Sequence, residues 1–546
     1  MRKKIFVTIL SLLYTLFIII GNSFLISNSF KYIKNNILLN IFMFIIIFLI
    51  IYIIINYLFT KIENKKFKKF KIFNKLKETK IYNVFKKHPF LTSLIIIIIC
   101  WLPYIIAFYP AILSPDPTFQ IKQYFNIPNK YSTYVILKDK NVLITNHHPV
   151  IHTLLLGTCV KIGTIINNVN LGFFIYSIIQ ILVLASTLAY TIKFLNDIKI
   201  SKRYQTLALI IYSLVPIFPF YSMSAVKDVI FGSLIILYII RVYKFIKCDN
   251  ITIKEIFSTL LLLILIVLFR NNGIHVILLS FPFLIFIVKN KNNKLKIITI
   301  FLSLLVFNYT YNNVILNYFK ITPTSVREIL SIPFQQTARY VKEHDKDVTI
   351  KEKKVIDKIL NYDTLATRYK PDISDPVKNE FNRYYKKEDL NNYFRVWFKE
   401  LMKHPITYIE ATINNTYGYF YPPKTRWFIY YKYYDKITED HFDYHYNKLK
   451  NTRKVLSSYG RVFPYIPLVG LIVNIAFNVW ILIFMFMYLL YIKKYKELVY
   501  LFPSFILILV CIASPVNAYF RYALPYVFAL MLNLGIFIKE GVIDER

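Results

Sequence analysis

Residues 37–59, ILLNIFMFIIIFLIIYIIINYLF, are apolar everywhere except Asn40 and Asn56, and they are followed by residues 61–88, KIENKKFKKFKIFNKLKETKIYNVFKKH. The first stretch exceeds the roughly 20 residues that an α-helix needs to cross a hydrocarbon core of about 30 Å. The second carries eleven lysines against two acidic residues. A run of this kind beside a span marks the cytoplasmic side by the positive-inside tendency. Attraction of the run to anionic inner-leaflet lipid is the functional alternative. This junction sets the frame for the rest of the chain.

Further apolar stretches lie at 5–27, 90–109, 171–194, 205–222, 229–246, 297–317, 465–492 and 521–538, with shorter ones at 255–269, 274–288 and 498–514. Together they predict an all-α polytopic membrane protein of about twelve transmembrane helices, the shorter ones tilted or broken. A chain that is 56% hydrophobic is too apolar for a soluble protein of this size. Residues 1–27 do not read as a signal peptide, because the run is too long and a second span follows at once. The net charge of +38 would suit nucleic acid, but its concentration in basic loops between spans points to topology instead, and no nucleic-acid partner is expected. Cys100, Cys159, Cys248 and Cys511 lie in or beside spans without metal-type spacing, so no disulfide framework is expected.

With both termini inside, the chain divides into five parts. Residues 1–60 form two N-terminal helices, 61–88 a basic cytoplasmic loop, and 89–317 a transmembrane core whose external loop is 110–170. Residues 318–464 form an extracytoplasmic domain, and 465–546 the C-terminal helices. The segment PVIHTLLLGTCVKIG in the external loop is short and interrupted by glycine, so it reads as an interfacial helix and not as a crossing. Within 318–464 a helix is expected near 376–403, with breaks at Pro371, Pro405, Pro422 and Pro423. The aromatic run 417–434 reads as an interfacial belt, with sugar stacking as the alternative.

The external loop holds the residues with most chemistry. Asp116 lies in S-P-D-P just after a span, where it is either a general base near a low-dielectric boundary or a turn residue capping the loop. His147, His148 and His152 follow. His148 and His152 have the i, i+4 spacing that puts two imidazoles on one helix face, which leaves a divalent metal open, with substrate positioning as a second role. Their structural reading is a helix start capped by Asn146 with Pro149 in the first turn. Lys227 and Asp228 end a span, as a phosphate partner and its orienting carboxylate or as an interfacial ion pair. Arg270 sits at the end of an apolar run, and Arg521 stands alone in an otherwise apolar stretch of over thirty residues, where a charge is costly unless paired or interfacial. They read as grips for an anionic lipid phosphate or as anchors.

In sequence order these signals resemble the polytopic C-type glycosyltransferases (GT-C), which include protein O-mannosyltransferases and aminoarabinose transferases of lipid A. The resemblance rests on SPDP with Asp116, on HHPVIHTLLLG with Val150 where a second proline is usual, on FYSMSAVKD with Asp228, on FRNNG, and on FRYALP. It covers roughly residues 90–290 and 515–540. Two extra spans precede the loop of Asp116, and no acidic pair stands where some relatives carry one, which leaves metal dependence open. The resemblance implies a GT-C-like fold in the plasma membrane, with the active site on the extracytoplasmic side. The implied donor is a sugar linked to polyprenyl phosphate, as in bacterial envelope synthesis, and the acceptor a cell-envelope glycan, lipid or protein. Asp116 would be the base, while Lys227, Arg270 and Arg521 would neutralise the leaving phosphate and His147, His148, His152 and Asp228 would line the substrate site. A polysaccharide polymerase and a non-enzymatic flippase of lipid-linked sugars are the rival readings.

Overall fold

The structure, a computed structural model, describes residues 1–64, 80–424, 436–439 and 442–542. Residues 65–79 of the lysine run and 425–434 of the aromatic run lie outside the described residues. The protein is an all-α membrane protein. Among the described residues, seven helices are long and apolar enough to cross a membrane: Arg2–Ser27, Ile37–Glu63, Pro89–Ala107, Val169–Asp197, Lys227–Lys247, Lys291–Tyr318 and Phe520–Gly541. The helices Lys202–Leu214 and Ile217–Met223 meet at a 49° bend and make up to eight if they form one span. Pro216 stands at that bend, where its ring and missing N–H interrupt the ladder.

The remaining apolar segments form shorter helices, and local chemistry explains their length. Gly273–Ser280 and Pro282–Ile287 are separate pieces because Pro282 opens the second. The stretch expected to be helical from 465 instead runs through 3-10 turns at Phe463–Tyr465 and Val469–Val473. Pro464 and Pro467 cannot donate to an α-helical ladder there. The helix starts only at Ile475, once Asn474 caps it by accepting from the Phe477 N–H at 2.9 Å. Val150–Ile165 is likewise a short apolar helix and not one of the seven. Its start also differs from expectation: Pro149 occupies the cap position without a side-chain cap bond. Asn146 does not cap: its Oδ1 accepts no hydrogen bond among the described residues, and its N–H donates to the Thr322 carbonyl at 2.8 Å.

Lys227–Lys247 and Phe520–Gly541 are each 78% buried over their most apolar window and form the centre of the bundle. Around them, close backbone packing positions the loop of Asp116. A Cβ on Gly163 would lie 2.8 Å from the Cα of Gly172, so these two glycines let Val150–Ile165 fold tightly onto Val169–Asp197. A Cβ on Gly157 would fall 2.1 Å from the ring of Tyr124, so this glycine makes room for the last turn of the helix Pro115–Tyr124. That helix begins just after a tether to the chain before Lys227. The Ile112 N–H donates to Met223 O at 2.8 Å, and the Ala225 N–H donates to Ile112 O at 3.0 Å.

The polar region 318–464 has its own apolar cluster, built around Phe334, Ala338, Ile356, Leu360, Val377 and Tyr393. Its helices include Ser331–His344, Lys387–Lys403 and Pro405–Thr416, the last with Pro405 at its first turn. The antiparallel strands Lys436–Glu439 and Phe442–His445 place Phe442 and Tyr444 against Phe173 of the bundle. The region is also stitched to the loop before Phe520: the Ser374 N–H donates to Pro515 O at 2.8 Å, and the Asn517 N–H to Asp372 O at 2.9 Å.

Candidate functional site

Three helix ends meet on one side of the bundle. Lys227 and Asp228 open Lys227–Lys247, Arg521 lies in the first turn of Phe520–Phe528, and Arg270 caps the C-terminus of Ile253–Phe269. Asp116, in the first turn of Pro115–Tyr124, approaches from the loop. Arg521 Nη2 donates to Asp116 Oδ2 at 2.8 Å, and its Nε lies 3.1 Å from Asp228 Oδ2. Arg270 pairs with the other oxygen of Asp228. Asp228, only 1% exposed, therefore holds both guanidiniums in place. The aromatic rings of Tyr522 and Phe231 flank Arg270 at 5.6 and 5.5 Å.

Asp116 is not a turn cap. Its remaining oxygen accepts from Tyr131 OH at 3.1 Å. Burial works against its ionisation, but the charge and hydrogen bond of Arg521, with the Lys227 charge, outweigh this and hold the carboxyl well below the usual carboxylate range. Tyr131 in turn stacks on His147 at 4.0 Å. His147 Nδ1 lies 3.9 Å from Glu328 Oε1, and Glu328 accepts from Lys378 at 2.5 Å. Burial, opposed in part by Glu328, pushes His147 down to about 4. Burial and the Lys227 charge hold His148 well below its usual value, so both rings are neutral at pH 7.

These groups line a cavity of 1190 Å³. Asp116, His147, His148, Lys227, Arg270 and Arg521 form its polar end. Its apolar wall includes Val276, Leu279, Ile506, Leu507, Leu509 and Val510. Leu279 and Leu509 are more than half exposed, so this wall reaches the outer surface of the helix bundle. Lys227 Nζ contacts His148 Nδ1 at 2.7 Å. With that nitrogen taken, the proton of the neutral ring sits on Nε2, which has no hydrogen-bond partner among the described residues. In the inner cluster, Lys227, Arg270 and Arg521 stand around the carboxylates of Asp116 and Asp228. The chain belongs to the DUF6020 family. That model, described as a family of unknown function, matches residues 2–542. No curated protein and no solved structure matches the chain.

Two residues expected to line the substrate site stand behind it. Asp228 orients the arginines and is absent from the cavity lining. His152 is fully buried between Gln120, 2.9 Å from its Nδ1, and Tyr176 OH, 2.7 Å from its Nε2. Tyr176 leads on to Gln180, whose amide donates to the carbonyls of Tyr221, Ser222 and Ser224. His152 thus ties the loop helices to the turn before Lys227. The three histidines do not converge as metal ligands: His147 stacks on Tyr131, His148 meets Lys227, and both nitrogens of His152 are occupied. Among the described residues, the cavity holds no cluster of three or more potential ligands from His, Cys, Asp and Glu. Sequence reasoning missed Tyr131, Glu328, Arg327 and Lys378. With 45 tyrosines in the chain, Tyr131 carried no signal of its own, and the other three come from the polar region whose folding sets their position.

Proposed function

We propose that this protein is a membrane glycosyltransferase of GT-C type. It would transfer a sugar from a polyprenyl-phosphate donor to a cell-envelope acceptor on the extracytoplasmic side of the plasma membrane, with the shorter apolar helices completing about twelve spans. The observation that carries this reading is a single cavity joining the Asp116 carboxylate, the cations Lys227, Arg270 and Arg521, and an apolar wall open to the bundle surface. An amphiphile with an anionic phosphate head and an isoprenoid tail fits both ends. A flippase should instead carry ionisable groups along mid-span positions, whereas Lys227, Asp228, Arg270 and Arg521 all sit at helix ends.

The donor phosphate engages Lys227, Arg270 and Arg521 and accepts from His148 Nε2–H. This contact draws Arg521 from Asp116, which restores basicity to a carboxylate that is otherwise a weak base. Asp116 then takes the proton from the acceptor hydroxyl as its oxygen bonds to the anomeric carbon. The carbon–oxygen bond to phosphate breaks, the electron pair leaves with the lipid phosphate, and the anomeric configuration inverts. The cations stabilise the charge that develops on the leaving phosphate.

Binding of a polyprenyl monophosphate to purified protein tests the donor site. Arg521→Ala is expected to weaken it by about tenfold or more, and Arg521→Lys to recover only part, because a guanidinium contacts phosphate through two parallel N–H groups. Unchanged binding in both variants would remove phosphate from the cavity.

A further inference from the structure

Away from the cavity, the polar region gathers a second set of chemically capable side chains. His344 ends the helix Ser331–His344, Asp347 lies in the following 3-10 turn Asp345–Asp347, and His404 is the junction residue between Lys387–Lys403 and Pro405–Thr416. Asp347 Oδ2 is 2.9 Å from His404 Nε2 and 3.8 Å from His344 Nδ1. One donor atom from each of the three residues lies within 4.8 Å of the other two.

A tetrahedral ion with ligands at about 2.1 Å spreads its donors about 3.4 Å apart. The two distances from Asp347 bracket that value. The imidazoles are stacked face to face, with centroids 3.7 Å apart and planes 10° apart, so one of these partly exposed rings must turn before both aim a nitrogen at a common ion. The nitrogen of His344 facing away from Asp347, Nε2, bonds Thr407 Oγ1 at 2.9 Å. Such a bond to an oxygen from the second ring nitrogen fixes the tautomer and orientation of metal-ligating histidines. The nearby cation Lys403, which donates to Asp347 O at 3.0 Å, is offset by Glu352 at 3.3 Å. Two imidazoles and one carboxylate match zinc and related transition ions, whereas calcium and magnesium prefer all-oxygen sets.

We propose that His344, Asp347 and His404 form a binding site for a zinc-class divalent ion, with water as the fourth ligand. The ion clasps the end of Ser331–His344 to the start of Pro405–Thr416. The same helix Ser331–His344 begins two residues after the turn Val326–Ile329, which carries Arg327 and Glu328 to the cavity. The clasp therefore steadies an element of the cavity wall without entering the cavity. It does not depend on the proposed glycosyl transfer.

The test uses the full chain in detergent, stripped with a chelator and titrated with Zn²⁺ alone, then with Co²⁺ to read the visible d–d band of a low-coordinate site. Wild type should bind one ion per chain and gain thermal stability from it. His404→Ala and Asp347→Ala should each weaken binding by about tenfold or more and lose the cobalt band. Asp347 is an exposed position, so its variant keeps the test valid if His404→Ala misfolds. Absence of stoichiometric binding by wild type, or equal affinity in a folded variant, would overturn the site. A wild type that gains no stability from zinc, while Asp347→Ala loses stability equally with and without zinc, would also overturn it, leaving a His404–Asp347 ion pair.

Discussion

The helix Ile37–Glu63 and the helix Phe520–Gly541 invert the ordinary relation between hydrophobicity and burial. The first has the higher mean hydropathy, 3.2 against 1.5, yet only 6% of its apolar window is buried, against 78% for the second. In a bilayer the lipid, not the protein interior, is the most apolar surroundings a side chain can meet. The greasiest helix therefore belongs outside, and the helices that give up hydropathy for polar side chains are the ones that surround chemistry. Phe520–Gly541 carries Arg521, and Lys227–Lys247, also 78% buried, carries Lys227 and Asp228.

The largest effect should come from the buried charges. Asp228→Asn leaves Arg270 and Arg521 beside each other without their shared anion, and breaking a buried pair in this way costs about 3–5 kcal/mol. A sharp fall in thermal unfolding temperature in detergent would register it. A variant as stable as wild type would show that the central helices tolerate charge no differently from the peripheral ones.

A smaller loss is expected at Gly157, where any Cβ meets the ring of Tyr124. Gly157→Val should cost about 1–3 kcal/mol, typical of overpacking, and should lower the proposed sugar transfer more than stability requires, because Pro115–Tyr124 carries Asp116. Wild-type transfer in the folded variant would separate this contact from the site.

Below that comes a dependence on pH. Burial lowers His147 from its ordinary 6.5 to about 4 in the folded protein, so the unfolded chain takes up the proton first. The stability contributed by the neutral ring is present above pH 6.5 and is lost as pH falls toward about 4. His147→Gln should flatten this part of the stability profile, and an unchanged slope would assign it to other groups. The least effect is expected on the outer helix. Ile53, 66% exposed, faces outward, so Ile53→Ala should stay within about 0.5 kcal/mol. A loss equal to that of Asp228→Asn would cancel the contrast between the two helices.

The same contrast explains what could be read from the chain before its structure. Long Ile- and Phe-rich runs announce helices because each backbone polar group in lipid must be satisfied within its own segment. Lys227, Asp228, Arg270 and Arg521 stood out because a charge beside such a run is expensive, and the structure brings all four together with Asp116. His152 was legible as unusual but not as structural, since its partners Gln120 and Tyr176 are distant in sequence. Glu328 and Lys378 were not legible, because a polar region full of charges offers no reason to single out any of them. The late start of the Ile475 helix was written in Pro464, Pro467 and Asn474, but the hydropathy of the surrounding stretch concealed it.

The central claim is that Asp116 is the base in a cavity whose cations hold a lipid phosphate. Sugar transfer by Asp116→Asn, measured from a defined polyprenyl-phosphate donor alongside donor binding by the same preparation, tests it most directly. Transfer should fall by about 10²–10⁴-fold, the usual contribution of a general base, while donor binding persists because Lys227, Arg270 and Arg521 remain. Transfer at the wild-type rate by a variant that still binds donor would contradict the account.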